Sequence, residues 1–209
     1  MLKVEKLVVG VMQSNCYILY NTESKAAVVI DAGDCAGTII NKVLEHNLFV
    51  EAIILTHGHF DHILAVDALS KRFNAKIIIN RNDEILLKNP NFNLSRSFLG
   101  YDIIVESDNL HLVDDNNTIK LIGYNFKFIS TPGHSAGSMC IAVENFLFTG
   151  DTLFKGSIGN EFKPFGDLAV EIESIKTKLL KIDNNYICLT GHGDSTTLNY
   201  EKKNNIYIR

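Results

Sequence analysis

The chain has 209 residues, 46% of them hydrophobic and 21% charged, enough to bury a sizeable core and unlike the composition of a disordered chain. Its formal charge of −4 gives no general attraction to nucleic acid or to an acidic membrane surface. No run approaches the ~18 apolar residues of a membrane span, and Lys3, Glu5 and Lys6 interrupt the N-terminal MLKVEKLVVG, so a cytoplasmic protein is expected.

In chain order, KVEKLVVG, CYILY and AAVVI read as strands, with the turn-like NTESKA between the last two. DAGD stops the third strand. TIINKVLEHNL then sets Ile39, Ile40, Val43 and Leu44 at helical spacing. EAIIL is a short buried strand, followed by a histidine-rich loop and the helix ILAVDALSKRF; KIIIN and NDEILLK repeat strand then helix. The Asn-rich stretch 89–98, broken by Pro90, reads as a long loop, either a lid or a surface insertion. TIKLI, NFKFIS, SMCIAV and NFLFTG are further strands. A helix opened by Asp167, the strand YICLT, the loop GHGDS and a last helix close the chain. Both halves run from several strands into alternating helices and strands. This predicts one α/β domain over 1–209, an αββα sandwich of two mixed β-sheets flanked by helices. Cys16, Cys140 and Cys188 fall in strand-like segments and read as buried free thiols; there is no CxxC pair.

THGHFDH, residues 56–62, puts three histidines and an aspartate into seven residues. On an extended loop His57 and His59 can point the same way, whereas Asp61 and His62 cannot share that direction. Such a loop could offer one pair of ligands to each of two adjacent cations. Imidazole with carboxylate favours zinc, manganese or iron over calcium or magnesium. Three other groups share the same context just past a strand: His134 in TPGHSAG, Asp151 in FTGDTLF and His192 in LTGHGDS. Sheet scaffolds converge such loops on one site. His46 and His111 lie outside these loops and need no function.

THGHFDH, TPGHSAGS, FTGDTLF and GHGDSTTL resemble, in order and spacing, the metal motifs of the metallo-β-lactamase fold superfamily. The likeness runs from VIDAGD at 29–34 to the last helix. The resemblance implies the αββα sandwich with its site at the mouth between the sheets. It also implies two divalent cations, zinc first with iron or manganese as alternatives: His57, His59 and His134 on one, Asp61, His62 and His192 on the other, and Asp151 bridging. Asp31 matches the strand-end aspartate that supports such sites from behind.

Two cations about 3.5–4 Å apart can share a hydroxide and clamp the substrate oxygen. Asp61 and Asp151 are then the catalytic carboxylates, Asp61 orienting the hydroxide. The expected reaction is hydrolysis. A thiolate with a pKa of about 8.5 leaves without an acid, and none is evident beyond the ligands, which favours a thioester. GDTLFKGSIG followed by GDL, and GHGDSTTLNYEKKNN, resemble the glyoxalase II (hydroxyacylglutathione hydrolase) branch, especially its short bacterial members. That implies a thioesterase acting on small S-2-hydroxyacyl thiols such as S-lactoylglutathione; from the acidic charge, no nucleic-acid or membrane partner is expected. Two departures leave the thiol open. The C-terminal helical region that grips glutathione in the long members is not expected here, and their Lys and Tyr are replaced by Asn160 and Phe162, with Lys155 the nearest cation. The rival on the same scaffold is a mononuclear Fe(II) persulfide dioxygenase using His57, His134 and Asp151. A phosphodiesterase or nuclease is disfavoured by the acidic charge.

Overall fold

Charged residues interrupt the apolar ones along β1 (Leu2–Val9), which lies at a sheet edge with Lys3 and Lys6 exposed, charges that discourage further strand pairing. β2 (Ser14–Asn21), β3 (Ala26–Ile30), α1 (Ala36–Glu45) and β4 (Phe49–Ile54) follow. Then come α2 (Phe60–Ile63), α3 (Val66–Phe73), β5 (Lys76–Asn80), α4 (Glu84–Lys88), α5 (Ser95–Leu99) and β6 (Leu110–Val113). The structure, a computed structural model, describes residues 1–209.

These six strands pair in chain order, antiparallel from β1 to β3 and parallel from β3 to β6. β3 (AAVVI) and the Ile77–Ile79 run of β5 show no polar alternation because both faces of these parallel strands are covered. One face packs Ile18, Val29, Ile53 and Ile77 against Ile39 and Val43 of α1 and Val66 and Leu69 of α3. The other faces a second sheet.

That sheet is built from β7 (Thr118–Leu121), β8 (Tyr124–Ser130), β9 (Met139–Val143) and β10 (Phe146–Gly150). A small hairpin of β11 (Leu153–Phe154) and β12 (Ser157–Ile158) precedes α6 (Leu168–Ser174). β13 (Ile187–Thr190), β14 (Thr196–Thr197) and α7 (Leu198–Asn204) close the chain. The order is β14-β13-β10-β9-β8-β7, with β10 and β13 parallel and the other pairs antiparallel. Tyr17, Ile30 and Ile54 of the first sheet meet Phe126, Phe128 and Phe148 of the second, and the Tyr17 and Phe148 rings meet edge-on at 5.3 Å. Full burial of each such side chain stabilises by roughly 1.5–3 kcal/mol. Behind the second sheet, Leu147 and Cys188 pack on Ile175, Leu179 and Leu198. The architecture is the expected αββα sandwich.

Local details differ from the sequence reading. ILAVDALSKRF is not one helix: α2 already begins at Phe60, placing Asp61 and His62 on a helical turn, and α3 starts afresh at Val66. Stretch 89–98 runs into α5, and β6 arises from LHLV, whose polar flanks masked it. Asp167 caps α6 as expected, its carboxylate accepting from the backbone N–H groups of Ala169 (2.9 Å) and Val170 (3.1 Å), but Ile175–Leu179 continue as a π-helical turn. Cys16, Cys140 and Cys188 are buried and free. No helix is long and apolar enough to cross a membrane.

Candidate metal centre

His57 and His59 follow β4, His134 follows β8, Asp151 follows β10 and His192 follows β13. Both sheets thus deliver loops to one edge of the sandwich, and the seven side chains singled out in the sequence meet there. His57, His59 and His134 form one group of donor atoms lying within 4.8 Å of one another, and Asp61, His62 and His192 form another. A third, His57, His62 and Asp151, joins the two. Asp151 Oδ1 is 3.5 Å from His62 Nε2, while its Oδ2 is 3.6 Å from His134 Nε2 and 3.4 Å from His192 Nε2. Asp61 Oδ2 lies 3.2 Å from His192 Nε2 and 3.5 Å from His62 Nε2.

The backbone explains why these groups diverge and then converge. His59 is extended, and the helical turn begun at Phe60 swings Asp61 and His62 off the direction of His57 and His59. Gly191 is required by contact: a Cβ there would overlap Asp151 Oδ1.

A layer of hydrogen bonds aims the imidazoles. Asp31 sits at the end of β3 with φ 55°, a left-handed conformation that aspartate tolerates better than most residues. Its Oδ1 accepts from the Thr56 N–H and its Oδ2 from the Thr56 hydroxyl, both at 2.8 Å. With that hydroxyl proton committed to Asp31, Thr56 Oγ1 accepts from His57 Nδ1 at 3.1 Å, which leaves His57 Nε2 as the free lone pair. His134 Nδ1 donates to the Asn160 carbonyl at 2.7 Å, freeing its Nε2 in the same way. His134 Nε2 lies 2.9 Å from His59 Nδ1. His62 Nδ1 lies 3.1 Å from Asp31 Oδ2, an ionic contact rather than an aligned hydrogen bond, since neither His62 nitrogen has a hydrogen-bond partner. Ser14 Oγ donates to Asp61 Oδ2 at 3.0 Å.

Sequence reasoning passed over Asp83, read only as part of a helix start. It is fully buried, and it accepts from Gly58 N (3.0 Å), Gly137 N (2.6 Å) and Ser135 Oγ (2.7 Å). One carboxylate therefore ties the His57–His59 loop to the His134 loop. The sequence holds no signal for it beyond a lone acidic residue. Asn160 and Phe162 gain roles as well: the first through its carbonyl on His134, the second by packing its ring 5.8 Å from both His59 and His134. Lys155 pairs with Asp194 at 3.1 Å. His46 and His111 lie elsewhere, His46 against Glu5 at 2.9 Å and His111 exposed on β6.

Burial, and then the neighbouring imidazoles, hold His57 well below the usual histidine range; burial with His134 lowers His59 to about 3. Burial opposes protonation of His62, yet Asp61, Asp151 and Asp31 raise it to about 9. His192 rises to about 10 against the same burial penalty because it pairs with Asp151 and Asp61. Three histidine nitrogens and a carboxylate oxygen are still left over. Of seven buried side-chain polar atoms without a hydrogen-bond partner, four belong to His57, His62 and Asp151. Each such atom costs about 1–3 kcal/mol, and folded proteins keep few of them. Divalent cations satisfy these particular donors, so the residues present fit a metal centre.

A cavity of about 280 Å³ opens over the cluster. Met12, Phe60, Leu94, Phe98, Phe154, Asn160 and Phe162 line it, together with His59, Asp61, His134, Asp151 and His192. Stretch 89–98 thus supplies one wall. Asn93 fixes that wall: its side-chain amide donates to the carbonyls of Leu86 (3.0 Å) and Ile103 (2.8 Å), and its own carbonyl accepts from Phe60 N (2.9 Å).

The sequence profile of the metallo-β-lactamase superfamily matches residues 9–192, an interval that contains every residue of this cluster. The chain belongs to the metallo-β-lactamase superfamily. Within it, the chain is 33% identical to the hydroxyacylglutathione hydrolase GloC of Haemophilus influenzae, across 99% of this chain and 98% of that protein. Among solved structures of the superfamily, the B3 metallo-β-lactamase BLEG-1 superposes with a TM-score of 0.93 at 34% identity, covering 99% of each chain. TTHA1623, solved in a di-iron-bound form, superposes with a TM-score of 0.84 at 28% identity, over 97% of this chain and 99% of that one. The protein is thus a metallo-hydrolase-type superfamily member with a His/Asp cluster suited to divalent metal.

Proposed function

We propose that the protein is a cytoplasmic, dinuclear metal-dependent hydrolase that cleaves small acyl thioesters, S-2-hydroxyacyl thiols being the first class to test. His57, His59 and His134 would hold one cation, Asp61, His62 and His192 the other, with Asp151 shared between them. Zinc suits this mixture of imidazole and carboxylate, and iron or manganese would fit it too. The observation that carries the proposal is the set of buried, partnerless atoms on His57, His62 and Asp151, lying where the donor groups overlap.

Bound cations of this kind acidify water and polarise a carbonyl oxygen. The chain's own groups do the rest. Asp61, steadied by Ser14, faces the cavity and can orient the water through a hydrogen bond. The water oxygen bonds to the acyl carbon, the C–S bond breaks, and the products are a carboxylate and a thiol. A thiolate leaves unassisted, which matches a cavity whose only acidic side chains, Asp61 and Asp151, are both counted as ligands. The relative named as a hydroxyacylglutathione hydrolase supports the same choice. A one-iron centre on His57, His134 and Asp151 is favoured less, because those three are not one of the donor groups.

The test is metal quantification on the purified protein together with a panel of thioesters. His57→Ala and Asp151→Ala should each lower kcat by at least a thousandfold while leaving the circular dichroism near native, whereas His46→Ala and His111→Ala should change kcat less than twofold. Near-normal turnover by either ligand variant would refute the scheme. The likeness to BLEG-1 favours β-lactam hydrolysis as a second activity, so a β-lactam belongs in the panel. Its amide nitrogen is the poorer leaving group, and slower turnover than of thioesters is expected.

A further inference from the structure

A substrate must enter through the cavity over the cluster, and the composition of its walls restricts what can stand beside the scissile bond. Six of the twelve lining residues are hydrophobic, and none is lysine or arginine. The apolar wall is continuous. Phe60 stacks on Phe98 at 5.7 Å, Phe98 meets Phe162 edge-on at 6.1 Å, and Phe162 rests on the rings of His59 and His134. Across the opening Phe154 meets His192 at 6.2 Å. Phe98 and Met12 remain half-exposed at the rim. Leu94 is held at φ 69°, a conformation that bulky side chains avoid, and it contributes to this wall. The basic residues in the bordering segments are engaged elsewhere: Lys155 with Asp194, Arg96 with Asp102, and Lys163 with Glu161. Asn160 is the one polar residue of the lining outside the histidines and aspartates of the cluster.

We propose that this aromatic chamber selects thioesters whose group beside the sulfur is apolar, and that it disfavours those placing hydrogen-bonding amides there, as glutathione conjugates do. The inference rests on the thioesterase reading for the bond that is cleaved. Its physical basis is separate. An amide lodged among Leu94, Phe98 and Phe162 is desolvated with no hydrogen-bond partner on those side chains, whereas an aryl or alkyl group buries its surface there. At about 280 Å³ the cavity is at the small end of ligand sites. It holds the acyl group, the sulfur and the first atoms of the thiol, and that is where the discrimination lies.

The experiment compares two S-lactoyl thioesters, of benzyl mercaptan and of glutathione, on the metal-loaded protein. It also measures calorimetric binding of the two corresponding unreactive S-(2-hydroxypropyl) thioethers. The benzyl compounds should show at least tenfold higher kcat/KM, expressed mainly in KM, and at least tenfold tighter binding. Phe162→Arg and, independently, Leu94→Lys should narrow or reverse both preferences. Equal or tighter binding of the glutathione thioether by the unaltered protein would overturn the proposal. If neither thioester is cleaved, the thioesterase reading falls and the thioether binding ratio still decides the chamber's preference.

Discussion

Asp83 shows how a residue that never faces the cavity can govern the centre. Its carboxylate accepts two backbone N–H bonds and one hydroxyl bond from two loops, each of which carries histidines of the cluster. Burial raises its pKa above the ordinary carboxylate value and those three bonds offset part of the rise, so the donors meet part of the anion's desolvation. Removing it strands the N–H groups of Gly58 and Gly137 in the interior, at about 1–3 kcal/mol each. Asp83→Ala should therefore destabilise the protein and loosen His57, His59 and His134 together. We expect metal affinity to fall about 10–100-fold, the range seen when groups supporting a ligand are lost. Competition with a chromophoric chelator would measure it, and an unchanged affinity would show that the loops hold their spacing without Asp83. Asp31 works on the same principle for His57 and His62, but through Thr56, so its effect is divided between a relay and a direct contact.

At the scale of elements, the strands were legible because buried parallel strands demand unbroken apolar runs, as in AAVVI and KIIIN. The ligand loops were legible because histidine rarely clusters after strands for packing reasons. What stayed hidden depends on tertiary contact. The early start of α2, the wall role of 89–98 and the existence of β6 are fixed by partners distant in sequence, such as the Phe60 N–H on the Asn93 carbonyl. Glu171 belongs to the same category. On α6 it reads as one more surface carboxylate, yet it is fully buried, donating nothing and accepting only from Gly159 N at 3.0 Å, with Oε2 unpartnered. Burial first, and the Asp151 carboxylate second, raise it from 4.5 to about 8. Cations near Asp151 would remove the second cause and leave the first. A raised carboxyl stays protonated in the folded chain after it has ionised in the unfolded one. Its contribution is therefore complete below about pH 4.5 and is lost as pH climbs to about 8. Glu171→Gln, neutral at every pH, should gain melting temperature relative to the natural protein on going from pH 5 to pH 8. Parallel melting curves at the two pH values would show that Glu171 titrates normally.

The molecule as a whole is two sheets closed at one end by a shared cluster. His57, His59, Asp61 and His62 come from the first sheet, and His134, Asp151 and His192 from the second. Any cation held by members of both sets is a cross-link between sheets, beside such direct ties as Tyr17 OH on the Thr190 carbonyl (2.7 Å) and Met139 N on the Thr56 carbonyl (2.9 Å). The aromatic layer between the sheets does not depend on that cross-link, because its burial is complete in the folded chain. The cluster does depend on it, since it gathers imidazoles within 4.2–4.7 Å of one another around buried nitrogens that no protein group satisfies. Metal removal should therefore weaken the fold without abolishing it. A ligand present at a thousand times its dissociation constant stabilises by about 4 kcal/mol, and a domain of this size shifts its Tm by roughly 2–4 °C per kcal/mol. Dialysis against a strong chelator should lower Tm by about 10 °C, keep the far-ultraviolet circular dichroism, and be reversed by adding back zinc. His57→Ala and Asp151→Ala should start from the lower Tm and respond little to the same chelator. A chelated protein that melts where the loaded one does would mean that the two sheets are not joined through metal at all.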